Sequence, residues 1–385
     1  MKIESDGTWP FKSIASFWND LPRSLFGPLE EEAGCLLPSH QRVAVILETV
    51  RIEEFVKEPV VWLGRPPYPR KPLARAFIAK AIFNLPTTRV LIDLLQGDVR
   101  LRRLCGWERR TDIPSEATFS RGFQEFAQHN FPARIQEALI KATLGTTIVG
   151  HIARDSTAIE AREKPSRTEK KVKPKKKRGR RRKDEPEPEP EPNRIEQQKN
   201  MTLAEMLADL PKACTFGCKR NAKGHTESWI GYKLHIDTAD GDIPVSALLT
   251  SASPHDSQAA IPLATMTAQR VINLYDLMDS AYDNDGIKDH SIGLGHIPII
   301  DINPRRNTEL KADIEREATA RNTINFQTAE DVRYNQRSSA ERVNSNLKDN
   351  FGGRHVRVRG HAKVYTHLMF GLLSITALQL MRLVT

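Results

Sequence analysis

The sequence has only four cysteines in 385 residues, Cys35, Cys105, Cys214 and Cys218, and they are too scattered for a disulfide framework. It has no uninterrupted apolar run of about 18 residues, so no segment reads plainly as a membrane span. The nearest is the C-terminal VYTHLMFGLLSITALQLMRLVT, which His367, Ser374, Thr376, Gln379 and Arg382 interrupt. That pattern predicts a buried helix. The N-terminal MKIESDGTWPFKS lacks the apolar h-region of a secretory signal, which predicts an intracellular protein.

What the sequence does have is charge. Lys and Arg number 58 against 48 Asp and Glu, for a net +10, with 28% charged and 39% hydrophobic residues. This is a soluble globular composition with a basic bias, and the bias speaks of polyanionic partners rather than of fold. It is unevenly spread. Residues 60–145 carry +7, 164–192 carry +7 and 331–363 carry +5, which leaves −9 for the remainder. Three basic surfaces thus surround an acidic rest. At roughly 100–200 residues per domain, the length predicts two or three domains, each with its own core.

Residues 1–40 show no clear period and read as an irregular N-terminal arm. From 41 to 145, QRVAVILETVRIEEFV and KPLARAFIAKAIFNL repeat apolar positions at three and four, on either side of the breaker GRPPYPRK. Gly106 is a plausible helix stop and Ser115 a helix start, so this region reads as a bundle of short helices. GTTIVGHIARDSTAI then reads as a buried strand ending at Arg154-Asp155. Residues 163–200, with KKKRGRRRK and EPEPEPEP, have almost no apolar content and read as a disordered basic and Pro-Glu insert. Its thirteen Lys and Arg within 164–183 favour polyanion contact, without reading bases.

Beyond the insert, GYKLHIDTADGDIPVSALLT reads as a hairpin turning at Ala239–Asp242, and PHDSQAAIPLATMTAQRV as a helix that Asp256 caps. VINLYDLMD and HIPIIDINP read as strands, and RSSAERVNSNLKDNF and the C-terminal segment as helices. The order predicts an α/β domain over 146–385, a mixed sheet with helices packed on it. Cys214 and Cys218 with His225 and His235 could suggest zinc, but the histidines lie ten apart and His235 falls in a strand, so buried thiols in a turn are the better reading.

One run carries a pattern of its own, DVRYNQRSSAERVNSNLKDNFGGRHVRVRG. Tyr334, Arg337, Glu341 and Lys348 sit at offsets 0, 3, 7 and 14, within about 60° of arc on one helix. A carboxylate is thus flanked by two cations and a phenol, which a solvated salt-bridge face would also produce. Phosphoryl transfer on two Mg2+ ions needs carboxylates that converge from different elements. Asp155, at the end of one strand, and Asp279, where LMD turns into SAYD, are candidates. A cap or a turn explains each equally simply.

On these residues the chain resembles the DDE transposases of bacterial insertion sequences, in the subgroup with a Y-x2-R-x3-E-x6-K signature. Tyr334, Arg337, Glu341 and Lys348 match it at every spacing. ARDST, GYKLHID with LTSASPHDS, and LMDSAYD are similar to the same family. GRPPYP, LRRLCGW and IPSEATFSR resemble its N-terminal region. The resemblance implies a ribonuclease-H-like catalytic core preceded by an all-helical DNA-binding domain at 41–145. Asp155, Asp279 and Glu341 would be the catalytic triad that binds two Mg2+ ions, with Mn2+ able to substitute. Tyr334, Arg337 and Lys348 would contact DNA. The implied protein binds terminal inverted repeats, cleaves the element ends by metal-dependent hydrolysis and joins the 3′-OH ends to target DNA. It would act as a homodimer on double-stranded DNA in the cytoplasm, associated with the nucleoid and not with a membrane. The rivals are a non-catalytic DNA-binding relative, such as a domesticated repressor, and a ribonuclease-H-like nuclease without strand transfer. Asp276, three residues before Asp279, is the competing ligand.

Overall fold

A computed structural model describes residues 27–31, 34–56, 67–166, 192–220 and 224–384. Most of the N-terminal arm and of the basic and Pro-Glu insert, including KKKRGRRRK, lies outside the described residues, as does the GRP of GRPPYP.

The helical pattern of the first third becomes α1 (Pro38–Val50), α2 (Ile52–Phe55), α3 (Arg70–Ile82), α4 (Thr88–Gly97), α5 (Val99–Cys105), α6 (Glu116–Gln128) and α7 (Phe131–Leu144). The local chemistry explains the breaks. Thr87 accepts from Val90 N to start α4, and Asp98 accepts from Leu101 N to start α5. Gly106, at φ 99°, ends α5 in the left-handed region. Ser115 stands at the N-cap of α6, although its hydroxyl meets Thr118 Oγ1 at 3.3 Å rather than the helix backbone.

The second part alternates strands and helices. In order they are β1 (Ile148–Glu160), α8 (Arg194–Gln198), α9 (Leu203–Asp209), β2 (Thr215–Arg220), β3 (Thr226–Ala239), β4 (Ile243–Ser251), α10 (Ala260–Ala268), β5 (Ile272–Met278), α11 (Asp285–Gly293) and β6 (Ile297–Ile300). There follow α12 (Thr308–Thr323), α13 (Ala329–Tyr334), α14 (Ser338–Asn350) and α15 (His361–Val384). The sheet is mixed. β1 is central, antiparallel to β3 on one side and parallel to β5 on the other, and β6 follows β5 in parallel. The far edge of β3 is shared by β2 along its first half and β4 along its second. This arrangement is consistent with the ribonuclease-H-like expectation.

Several expectations change. β1 does not end at Asp155 but runs five residues further, so Asp155 lies within the strand. The insert is shorter at both ends than 163–200. Glu163 accepts from Tyr232 Oη (2.5 Å), while Asn193 and Glu196 form a capping box that starts α8 and buries Ile195 and Gln198. Five residues are too few to show a helical period. β2, α11, α12 and α13 escaped the sequence reading. α12 buries none of its residues, and a helix polar on every side has no stripe to read.

The two parts do not keep separate cores. One apolar cluster runs from Val43 and Phe77 through Phe126 and Ile140 to Leu234, Ala247, Leu347 and Leu373. α15 joins them. Phe370 lies 5.7 Å from Phe77 and 6.2 Å from Phe123, ring to ring, while Tyr365 Oη donates to Ala247 O on β4. Gln136 on α7 donates to both Pro244 O and Thr376 Oγ1. By length and composition α15 could cross a membrane (hydropathy 1.4), but 78% of that stretch is buried inside the protein.

The core also contains a neutral histidine. His235, 1% exposed, donates from Nε2 to Thr250 Oγ1 at 3.0 Å, because the threonine proton goes to Ser251 O. Its Nδ1 has no partner among the described residues, and burial pushes its pKa down to about 4. An unfolded ring takes up a proton near pH 6.5. Stability from this group is therefore complete above about pH 6.5 and is lost as pH falls toward 4. Urea midpoints at pH 7 and pH 4.5 should show about 2 kcal/mol of acid loss that His235→Leu removes. Equal acid loss in both proteins would contradict this account.

Candidate active site

The site is built where the parallel pairing of β1 with β5 stops, at the end of β5 and within β1. Alternation along β1 sends Arg154 and Asp155 to opposite faces of the sheet. Arg154 turns into the core, where it donates to both oxygens of Asp237 at 2.8 and 2.7 Å. Asp155 turns outward, and Asn344 on α14 donates to its Oδ2 at 3.0 Å. In the β1–β5 register Arg154 pairs with Met278. Asp155 and Asp279, one residue on in each parallel chain, therefore stand side by side. Asp279 also caps the turn that follows, accepting from Ala281 N at 3.0 Å. Glu341 lies one helical turn before Asn344, so the bond from Asn344 to Asp155 brings the helix bearing Glu341 to the same place.

The three carboxylates feel one another. Burial pushes the Asp155 carboxyl up to about 6, and the charges of Asp279 and Glu341 push the same way, against Ser156 N and the Arg337 guanidinium. Asp279 is raised as well, by burial, against Ala281 N and Arg337. Arg337 is held above the usual arginine range by Tyr334, Glu341 and Asp155 despite its own burial. Its Nη2 donates to Glu341 at 2.8 Å, while its Nε is buried without a partner among the described residues.

The continuous stripe predicted from Tyr334 to Lys348 is interrupted. α13 ends at Tyr334, a tight 3-10 turn covers Asn335–Arg337, and α14 begins at Ser338. Tyr334 therefore donates to Asp301 Oδ2 at 2.6 Å, with its ring 5.6 Å from the Arg337 guanidinium. Lys348 lies two turns beyond Glu341. Burial, Lys219 and Arg354 lower its pKa, while Glu160 and Asp155 oppose them. Asp276 is a different kind of group. It is 2% exposed and is bonded by Asn273, Ser291 and His296 on the inner side of β5, so its oxygens are engaged away from Asp155.

One neighbour of the site, Asn344, is not singled out by the sequence reading, although its place one turn after Glu341 is a readable signal. Asp256, an acid that the sequence reading places near the assigned carboxylates, has another role than the one expected. It was expected as a helix cap, but His255 occupies that position and Asp256 instead accepts from Lys233 Nζ at 2.9 Å. It adds a further negative charge beside Asp279.

Among the described residues no three His, Cys, Asp or Glu side chains stand close enough to hold a metal ion between them. The reason is visible in the contacts. Glu341 is half exposed and drawn to Arg337, while its charge and those of the aspartates repel. The donor chemistry does fit a hard divalent cation. It offers three carboxylates from three elements, one of them pushed toward protonation by burial and by the charges of the other two.

Comparison with known proteins agrees in kind. A family described as "Transposase DDE domain" matches residues 207–377, which include Asp279, Tyr334, Arg337, Glu341 and Lys348 but begin after Asp155. A second, "Transposase domain (DUF772)", matches residues 31–125 in the helical part. Two curated proteins, each named probable transposase for insertion sequence element ISH11, come from two strains of Halobacterium salinarum, R1 and NRC-1. Each is 29% identical over 159 residues, 40% of this chain and 48% of theirs, so the similarity spans about half the length of these relatives. No solved structure matches the chain significantly. Two transposase domains matched in chain order, with transposase relatives beside them, support an insertion-sequence transposase.

Proposed function

We propose that the protein is a DDE transposase that cuts DNA at the ends of its own element and joins the freed 3′-OH ends to target DNA. The observation that carries this reading is the charge balance where β1 and β5 stop pairing. Asp155, Asp279 and Glu341 come from β1, the end of β5 and α14, and burial with mutual repulsion lifts Asp155 to about 6. A fold tolerates such a cluster at a cost in stability, and perturbed carboxylates of this kind mark functional sites. Asp155, Asp279 and Glu341 would hold Mg2+, which supplies activation of the attacking oxygen and stabilisation of the leaving one.

The chain's own groups do the rest. Asn344 fixes the rotamer of Asp155 by its hydrogen bond. The Nε of Arg337, buried without a partner among the described residues, would meet a phosphate oxygen once the side chain swings out, and a guanidinium suits bidentate contact. Lys348, crowded by Lys219 and Arg354, gains from any phosphate that relieves their repulsion. Tyr334 would join these contacts on leaving Asp301. Pairing of two element ends calls for a dimer in the active complex, on double-stranded DNA.

The test is an assay with duplexes that carry the element's terminal repeats, Mg2+ and a supercoiled plasmid. Joining of a 3′-OH end to plasmid supports transposition. Nicks without joining would reveal a nuclease, and binding without nicks a repressor. In the same system Lys348→Ala should lower affinity and make the salt slope of binding shallower by about 1. An unchanged slope would remove Lys348 from the phosphate contacts.

A further inference from the structure

The sequence HVRVRG, residues 355–360, has no part in the site above, yet its pattern is regular. Val356 and Val358 turn inward, the first 5% exposed and the second packed against the main core. Arg357 and Arg359, alternating with them, turn outward into a cleft of about 450 Å3 between this segment and the helical part. Arg162 and Lys363 line the same cleft.

On the opposite wall Lys80 of α3 is 8% exposed, and no carboxylate lies within ion-pair reach of it among the described residues. Burial lowers its pKa to about 8, so an anion placed there would relieve a charge that the protein leaves uncompensated. Pro86, Thr87 and Thr88, at the N-terminal end of α4, line the cleft as well. The acid in the lining, Glu116, lies 3.6 Å from Arg89. Arg162 ties the cleft to the strand that carries Asp155. Arg162 follows Glu160 at the end of β1, and Lys348 feels both Glu160 and Asp155.

We propose that this cleft is a second phosphate-binding track, in which Lys80, Arg357 and Arg359 grip the backbone of duplex DNA leading away from the carboxylate site. Its cations come from both walls, Arg357 and Arg359 at alternating positions of one segment and Lys80 on α3, an arrangement that suits more than one phosphate. The proposal rests on the DNA-acting reading above, and it moves part of the grip from the helical region to the seam between the two parts. Contacts of this kind hold position and read no bases.

The test uses the full chain in EDTA, so that binding is separated from cleavage. Fluorescence anisotropy follows a labelled duplex between 50 and 200 mM salt, once with a terminal-repeat sequence and once with an unrelated one. Arg357→Gln/Arg359→Gln removes two exposed charges and should make the salt slope shallower by about 1.8, with affinity at least about tenfold lower for both sequences. Lys80→Met keeps the buried stem and should lower the slope by about 0.9. The double variant decides the matter if Lys80→Met melts early. A wild-type slope in a double variant with a wild-type melting temperature overturns the track while leaving the transposase reading intact. A wild-type protein that binds neither duplex overturns both.

Discussion

Asp155→Asn is expected to reduce Mg2+-dependent cleavage of end DNA by at least about a thousandfold, equivalent to about 4 kcal/mol of transition-state stabilisation. The substitution keeps the shape of the side chain and the acceptor that Asn344 uses, and removes only the charge that a cation would need. Asp279→Asn should behave alike, because an amide oxygen can still accept from Ala281 N and preserve the turn. Glu341→Gln loses its charge-assisted bond to Arg337, an exposed pair that contributes little to stability. Binding of end DNA in EDTA should survive all three. Without metal, the thermal midpoint of Asp155→Asn should equal or exceed that of the wild type, because a buried like-charge repulsion is removed. Cleavage persisting in Glu341→Gln would remove it from the triad, and a sharply lower midpoint for Asp155→Asn would make Asp155 a structural residue.

The residue beside it has the opposite character. Arg154→Leu should lower folding stability by about 3–5 kcal/mol, a large share of the roughly 5–15 kcal/mol typical of a folded protein. Arg154 is 2% exposed and Asp237 is fully buried, joined by two parallel hydrogen bonds, with Thr267 Oγ1 donating to Asp237 at 2.7 Å. Asp237 and Asp276 hold the guanidinium above its ordinary pKa against the cost of burial. Removal of the arginine leaves a buried carboxylate without its partner. Arg154→Leu/Asp237→Leu, which removes both charges, should recover most of the loss, because a well-packed apolar pair can match a buried ion pair. The measurement is the urea midpoint at constant m-value. A double variant no more stable than Arg154→Leu would show that shape, rather than the orphaned charge, sets the cost.

These two neighbours show what is legible in a sequence. Asp155 was found by its resemblance to a motif, and Arg154 was passed over as part of ARDST. Only the strand's alternation, with α10 closing on one face of the sheet and α14 on the other, gives one residue a site and the other a core. Similarly, Asp276 and Asp279 differ by three positions in sequence. In the fold one is bonded by Asn273, Ser291 and His296 and the other stands beside Asp155.

By itself the sequence determined the alternation of strands and helices, the helical character of the first third, the buried C-terminal helix and the signature of Tyr334, Arg337, Glu341 and Lys348. Each of these rests on local period or fixed spacing, which the chain carries without reference to anything distant. The tertiary structure alone decided that α15 fuses the two parts into one core, that a 3-10 turn breaks the stripe at Arg337, and that Arg357, Arg359 and Lys80 face one cleft. Those outcomes depend on which faces pack together. Packing couples residues hundreds of positions apart, and no local pattern records it.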